Sequence, residues 1–337
     1  MPRMILVRLG SLVAVLLVLT LAVFVIQAVL PADPVRAAIG GQASEAIVKA
    51  KRHELGYDQP LPTQYVRFLQ RVVRGDFGDS LRTRRPVLED ISKFAPATIE
   101  LAAVSALLAG VLGVMLGLWS AHGGRGSGTA RVTMLALASA PTFFMGILLL
   151  LLFYRRLGWL PASGRLSSSY VDGGPTGFLL IDSVLHANPG AWWDAVRHLV
   201  IPALCLALGP AVAIGRVLRS SLLDVMRHDH VRTARAKGLS ERMVVFRHAL
   251  RNASGPALSM AGLQVGLLLA GVVVVELVFA WPGLGLYTQQ SIQNADFPAV
   301  IGITMVLGIA YVVINALVDI LQLVADPRLR VRGKAVA

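Results

Sequence analysis

The sequence predicts an all-α, polytopic integral membrane protein with six transmembrane helices and a small helical extracytoplasmic segment. Three observations predict it. The 337-residue chain is 55% apolar and only 15% charged, with mean hydropathy +0.66, whereas soluble domains run near 45–50% apolar and about 25% charged. The apolar residues gather into long uncharged runs without period-two alternation, which points to spanning helices rather than a barrel. The 32 Lys and Arg against 19 Asp and Glu give a net charge of +13, and the excess sits in short segments between runs, as membrane orientation requires. The apolar content excludes disorder, and the lone Cys205 excludes a disulfide scaffold. The basicity reads as attraction to membrane lipid, so no nucleic-acid partner is expected.

The elements follow in order. Leu9–Ala32, preceded by Arg3 and Arg8, exceeds the roughly 7–15 apolar residues of a secretory leader, and no A-x-A site follows. It reads as an uncleaved first helix, with a boundary at residues 1–30. Residues 31–96 read as the extracytoplasmic segment. There Ser44 can cap a short helix through Leu55, stopped by Gly56. Pro62 can open a second, with Tyr65, Phe68, Leu69, Val72 and Val73 on one stripe and Gly75 as terminator. Pro86–Phe94 leads into the membrane. Leu101–Gly124, Val132–Tyr154, His198–Gly215, Asn252–Val275 and Phe297–Val318 supply the remaining crossings, each needing roughly 20 residues at about 1.5 Å of rise. His198–Gly215 is the shortest and carries Pro202 and Pro210. These runs form a membrane core at 97–325, with a polar loop at 216–251 and a tail at 326–337.

Charge sets the expected orientation, with both termini cytoplasmic. The loop Arg216–Arg251 holds nine Lys/Arg against three acids, while Trp281–Asp296 holds no Lys or Arg; short segments of this kind orient a chain. Pro31–Pro96 carries eleven Lys/Arg, tolerable because long translocated segments are largely exempt. Arg155 and Arg156 just outside the third run do not fit the rule. In the outside segment Arg155–Arg197, Trp192 and Trp193 read as an interfacial anchor.

No G-x-x-x-x-G-K-[ST], G-x-S-x-G, H-E-x-x-H or paired-Cys motif occurs, so neither a phosphate-binding loop nor a catalytic or metal centre is expected in this chain. His228 and His230 read as polar residues on a solvated helix, and Cys205 as a small packing residue. Polar residues within membrane runs are costly and mark functional candidates. Glu100, Gln264, Glu276, Asn315 and Asp319 lie in or at the ends of runs. Glu100 and Glu276 could meet a peptide's amino group, or serve interhelical pairing and interfacial solvation. Gly113-x-x-x-Gly117 reads as close helix packing.

The loop carries the sharpest pattern, His230-Val231-Arg232-Thr233-Ala234-Arg235-Ala236-Lys237-Gly238-Leu239-Ser240-Glu241-Arg242. A helix reaching about Lys237 would stop at Gly238, and Ser240 would cap a following helix, Glu241–Leu250. Small residues at Ala234, Ala236 and Gly238 would let another protein approach the backbone, and the flanking cations could reach its acids.

This loop resembles the coupling loop of binding-protein-dependent ABC importer permeases, and more narrowly the dipeptide/oligopeptide family, in the subunit with the large first external segment. The stretches Leu55-Gly56-Tyr57-Asp58-Gln59-Pro60-Leu61-Pro62, Arg74-Gly75-Asp76-Phe77-Gly78-Asp79-Ser80, Arg85-Pro86-Val87-Leu88-Glu89 and Glu276-Leu277-Val278-Phe279-Ala280-Trp281-Pro282-Gly283-Leu284-Gly285 support the resemblance over about residues 4–330. It departs at the loop's start, where Thr233, Ala234 and Arg235 stand in place of Glu-Ala-Ala. That form is common in the peptide subgroup, and it puts in doubt any salt bridge the usual Glu makes with an ATPase.

The resemblance implies a type I ABC importer permease fold in a bacterial inner membrane. It implies a homologous second permease, two cytoplasmic ABC ATPases and an extracytoplasmic substrate-binding protein as partners, with peptide as cargo. The chain itself would be non-catalytic and bind no cofactor; ATP and Mg belong to the ATPases. Thr233, Ala234, Arg235, Ala236, Lys237, Gly238, Leu239, Ser240 and Glu241 would couple to the ATPase. Glu100, Glu276, Trp281, Pro282, Gly283 and Gly285 would form an external gate or translocation path. The alternatives are a secondary transporter of small solutes, for which no internal repeat is evident, or an importer of the same family carrying haem, glutathione or a nickel chelate.

Overall fold

The computed structural model describes residues 2–29, 44–121, 126–168, 170 and 174–325. The tail expected at 326–337 and the segment 30–43 lie outside the described residues. The described chain is helical, in the order α1 (Pro2–Val29), α2 (Glu45–Leu55), α3 (Leu61–Val73), α4 (Val87–Ala121), α5 (Ser127–Ser139), α6 (Thr142–Arg156), α7 (Leu179–Leu185), α8 (Pro189–Val225), α9 (Asp229–Ala236), α10 (Glu241–Val278), α11 (Leu284–Gln293) and α12 (Phe297–Ala325). Five- rather than four-residue spacing marks two stretches, Leu150–Arg156 within α6 and Val244–Ala249 within α10.

The expectation of six crossings is not met by length and composition alone. Among the described residues, α4, α8, α10 and Phe297–Val318 of α12 are long and apolar enough to cross a membrane. The run Val132–Tyr154 is not one straight helix: α5 and α6 are bent by 112° and supply a fifth span only if taken together. Pro141 explains the break. It has no N–H and pushes Ala140 out of the helical region, to φ −86° and ψ 129°. The first run lies in α1, whose described apolar part is Val13–Ile26; residues 30–32 lie outside the described residues. Conversely, the run with two prolines is the most secure. Pro202 and Pro210 both sit inside the 37-residue α8, and two-thirds of its apolar stretch is buried within the chain. Surrounding helices can meet the carbonyls that these prolines leave free.

The chain divides into two compact units. The first comprises residues 1–98 and 282–312. Its α2 ends at Gly56 with φ +72°, as its sequence suggests, although the Ser44 side chain makes no capping hydrogen bond. On α3, Phe68 is buried with Tyr65 and Val72 beside it, against Leu16, Val23 and Phe24 of α1 and Ile301 and Met305 of α12. The Phe24 and Tyr65 rings lie 5.3 Å apart, and Tyr65 and Thr20 hydroxyls share a 3.0 Å hydrogen bond. Val73, expected on the same stripe, is 86% exposed, because the packed face ends one turn before the helix does. A second core joins Val87 and Ile91 of α4 to Leu284, Tyr287, Ala299 and Ile303. Around it two buried carboxylates are held by neutral donors. Asp90 accepts from the Thr83 and Tyr287 hydroxyls, and Asp296 from the Ser80 hydroxyl and the Arg82 N–H. Burial pushes the Tyr287 hydroxyl pKa up. The helix α4 runs through Pro96 without a break.

The second unit comprises residues 99–281 and the chain from 313, and α8 is its axis. Ala109 of α4 packs with Ala207 and Ile214 of α8, and Ala249, Ala253 and Ala257 of α10 pack on Leu218 and Leu222. The α4 contact depends on missing side chains. A Cβ at Gly113 would lie 2.8 Å from Ile214 Cβ, and one at Gly117 2.9 Å from Leu218 Cδ2. Gly215 faces them, where an added Cβ would lie 3.1 Å from the Gly113 carbonyl oxygen. Small residues permit this approach, and helices in lipid associate through such packing. Cys205 is buried and donates to the Thr142 carbonyl at 3.2 Å, a packing role. Trp192 and Trp193 in the first turns of α8 are both exposed.

Gly117→Ala should force α4 and α8 apart at a cost of ~1–3 kcal/mol. Gly110 has no neighbour within 4 Å of an added Cβ, so Gly110→Ala should be neutral or mildly stabilising. Thermal unfolding of the detergent-purified chain separates the two.

Candidate functional site

The first site is the α9–α10 corner. Asp229 opens α9, Ala236 ends it, and Lys237 caps it. Gly238 takes φ +79°, and two hydrogen bonds close the end: Gly238 N–H to Arg235 O at 2.9 Å and Leu239 N–H to Ala234 O at 3.4 Å. This is the paired bonding of a left-handed helix stop, with Leu239 and Ala234 supplying the apolar contact that accompanies it. Ser240 caps the next helix by accepting from Met243 N–H at 3.4 Å. That helix does not stop near Leu250 as its local pattern suggests, but continues as α10 to Val278.

Burial divides the corner into two faces. Val231, Ala234 and Val244 are buried with Val225, Met226 and Leu239 against them. Arg232, Thr233, Arg235, Ala236, Lys237, Gly238, Ser240 and Glu241 are exposed. The small-residue surface therefore keeps Ala236 and Gly238, while Ala234 turns inward as part of the hinge packing. Arg235 grips Glu241 across the turn at 2.6 and 3.2 Å, and that carboxylate raises the guanidinium pKa above its ordinary value. Beneath the pair lies a cavity of about 280 Å³ lined by Leu118, Leu222, Leu223, Met226 and Val245. The result is a short braced helix, apolar behind and basic in front. Such a knob can seat in a partner's groove.

The second site gathers around Glu100. Its carboxylate, 7% exposed, meets Arg165, 6% exposed, at 2.7 Å, and its other oxygen accepts from Leu180 N–H at 2.8 Å. Arg165 also donates to the Gly177 carbonyl at 3.2 Å and lies 5.7 Å from the centre of the Trp281 ring. A guanidinium over an indole face is electrostatically favourable. Trp281 is fixed by its backbone: its N–H donates to the carbonyl of Glu276 at 2.9 Å, while Ala280 adopts φ +46°. The Glu276 side chain is fully buried. The Gly164 N–H donates to the Phe279 carbonyl at 3.0 Å, pinning the 157–165 segment to the end of α10.

Of the expected gate residues, Glu100 and Trp281 thus meet through Arg165, and Glu276 is joined to Trp281 through its backbone carbonyl. Pro282, Gly283 and Gly285 belong to the other compact unit, where Gly283 precedes α11 and Leu284 N–H donates to Thr98 Oγ1 at 2.8 Å. Arg165 is the member that sequence reasoning missed. Its signal is faint: an Arg in a Gly-, Ser- and Pro-rich stretch, 65 positions from its partner. His228 and His230 rings lie 5.8 Å apart on the exposed corner, and among the described residues no group of three His, Cys, Asp or Glu could hold a metal ion.

Comparison with known proteins covers both sites. The model of the binding-protein-dependent transport system inner membrane component matches residues 113–331, and its N-terminal companion matches residues 1–102. The chain is 41% identical over 326 residues to the Di/tripeptide transport system permease protein DppB of Pseudomonas aeruginosa, covering 96% of this chain and 97% of that one. It is 42% identical over 332 residues to the Probable D,D-dipeptide transport system permease protein DdpB of Escherichia coli, covering 96% of each. It is also 36% identical over 326 residues to the Glutathione transport system permease protein GsiC of Pectobacterium atrosepticum, covering 96% of this chain and 97% of that one.

Glu100→Gln would leave Arg165 buried without its counter-charge, and removing one partner of a buried pair costs about 3–5 kcal/mol. Arg235→Gln breaks an exposed pair, worth under about 1 kcal/mol. The thermal unfolding midpoint should fall steeply for the first and little for the second.

Proposed function

The chain belongs to the family of binding-protein-dependent transport system inner membrane components, and we propose that it is the permease subunit through which an ATP-driven importer passes di- and oligopeptides. It is a multi-pass inner membrane protein and a membrane component rather than a catalyst. The observation that carries the coupling role is the braced α9–Gly238–α10 corner, which presents Arg232, Thr233, Ala236 and Lys237 outward on an apolar hinge.

In this reading the corner faces the cytoplasm, with both termini on the same side, because its segment is the most basic of the short connections. It seats in a groove of a cytoplasmic ATPase, one such corner from this chain and one from a homologous second permease. ATP and Mg are bound and consumed by the two ATPases. Exposed Ala236 and Gly238 admit close approach, and Arg232 and Lys237 reach acids on the partner. Arg235 is engaged with Glu241, so it stiffens the knob rather than contacting the ATPase first. When the ATPases close on nucleotide, the displaced knob pushes on Val225 and Met226 at the end of α8 and on Val244 in α10. On the opposite side an extracytoplasmic binding protein delivers the peptide, with residues 31–96 and the turn at Trp281–Gly285 as docking and gating elements. Two of the three relatives named above carry di- or tripeptide in their names and the third glutathione, so peptide-like cargo is the shared chemistry; haem and nickel chelates are less well supported.

Gly238→Arg tests the coupling. The left-handed backbone costs a non-glycine residue about 1–2 kcal/mol, and the added side chain points into space that only a partner would fill, since nothing lies within 4 Å. The variant should insert and fold but lose substrate-stimulated ATP hydrolysis in the assembled complex. Normal stimulation would refute the assignment of this corner.

A further inference from the structure

Arg165 uses only part of its donor surface. Its Nη2 serves Glu100 and the Gly177 carbonyl, while its Nε–H, in the same buried site, has no hydrogen-bond partner. A carboxylate engages a guanidinium best through two parallel N–H donors. Glu100 takes one and gives its other oxygen to Leu180 N–H. The Nε/Nη2 edge is therefore half used, and an unmet buried N–H is costly. The pair also ties together three stretches that are distant in the chain: α4 through Glu100, the segment between α6 and α7 through Arg165, and the end of α10 through Trp281.

We propose that the Glu100–Arg165 pair is an exchange latch for a zwitterionic peptide. The substrate's ammonium group takes Glu100, and its carboxylate takes the Nε/Nη2 edge of Arg165. This rests on the peptide-import reading above and names the residues that recognise the charged ends of the cargo. Charge balance selects the ligand class. A zwitterion replaces one ion pair by two, so neither buried charge is stranded. A peptide with one blocked end leaves one charge unmet, and a fully blocked peptide leaves both unmet, each at a large desolvation cost. The exchange also fills the Nε donor that the closed pair leaves idle. Trp281 holds the guanidinium by its face, leaving the edge donors for the incoming carboxylate.

The test uses the full complex in liposomes, with alanylalanine as probe and substrate-stimulated ATP hydrolysis and uptake as readouts. Arg165→Lys keeps the charge but lacks the side-on edge. Its KM for alanylalanine should rise at least tenfold while its thermal unfolding midpoint stays within a few degrees of the unaltered chain. The exchange of charges, Glu100→Arg with Arg165→Glu, should recover most of the midpoint that Glu100→Gln loses without recovering the KM. An unchanged KM in Arg165→Lys overturns the latch, as does an exchange variant that regains KM together with stability; the pair is then a structural tie. If the exchange variant fails to fold, Arg165→Lys decides alone. A complex of unaltered chains that no peptide stimulates overturns the peptide reading itself, and the latch with it.

Discussion

The close approach of α4 to α8 at Gly113, Gly117 and Gly215 is the contact on which the second unit depends. Lipid gives helices no hydrophobic reason to associate, so backbone proximity and the dispersion contacts it permits must supply the attraction. Ile214 and Leu218 fill the space left by the two glycines of α4. α8 also presents Leu218 and Leu222 to Ala249, Ala253 and Ala257 of α10. The distribution of burial agrees: the apolar stretch of α8 is mostly covered by its own chain, whereas those of α4, α10 and α12 are mostly uncovered.

The same helix relates the two candidate sites. At 37 residues α8 is about 55 Å long, enough to cross a bilayer and project beyond it. Near its C-terminal end, Val225 and Met226 lie against the hinge of the α9–α10 corner. Near its N-terminal end, Asp194 holds the backbone N–H and hydroxyl of Ser167, two residues from Arg165. α10 runs in parallel service, beginning at Glu241 in the corner and ending at the Trp281 turn. Both proposed working parts are thus built on the two ends of the same pair of rigid helices, and a load at one end has a packed route to the other.

Legibility in the sequence followed the range of the interaction. The corner could be read because its signals are local: Gly238 stops one helix and Ser240 starts the next, within a few residues of the groups they satisfy. The helical class could be read because hydrocarbon leaves the backbone no other partner. What escaped depends on distant neighbours. Arg165 gains its meaning from Glu100 and Trp281, and no local pattern marks it. The inward turn of Ala234 depends on Val244 across the corner, and the exposure of Val73 on where α1 and α12 cease to cover α3. The 112° bend at Pro141 shows the opposite limit: the breaker is visible in the sequence, but the angle is not.

Ala280 stands where a helix stop usually carries glycine. Trp281 N–H bonds to Glu276 O and Ala280 N–H to Leu277 O, the same paired closure as at Gly238, yet φ is +46° on a residue with a Cβ. Ala187 and Ala295 end α7 and α11 in the same way, at φ +49° and +51°. Each such alanine carries about 1–2 kcal/mol of backbone strain that glycine would not, which favours the unwound state of its turn by about five- to thirty-fold in population. The turn that bears Trp281 is therefore held by its two closing hydrogen bonds against a backbone cost that a glycine at the same place would not carry.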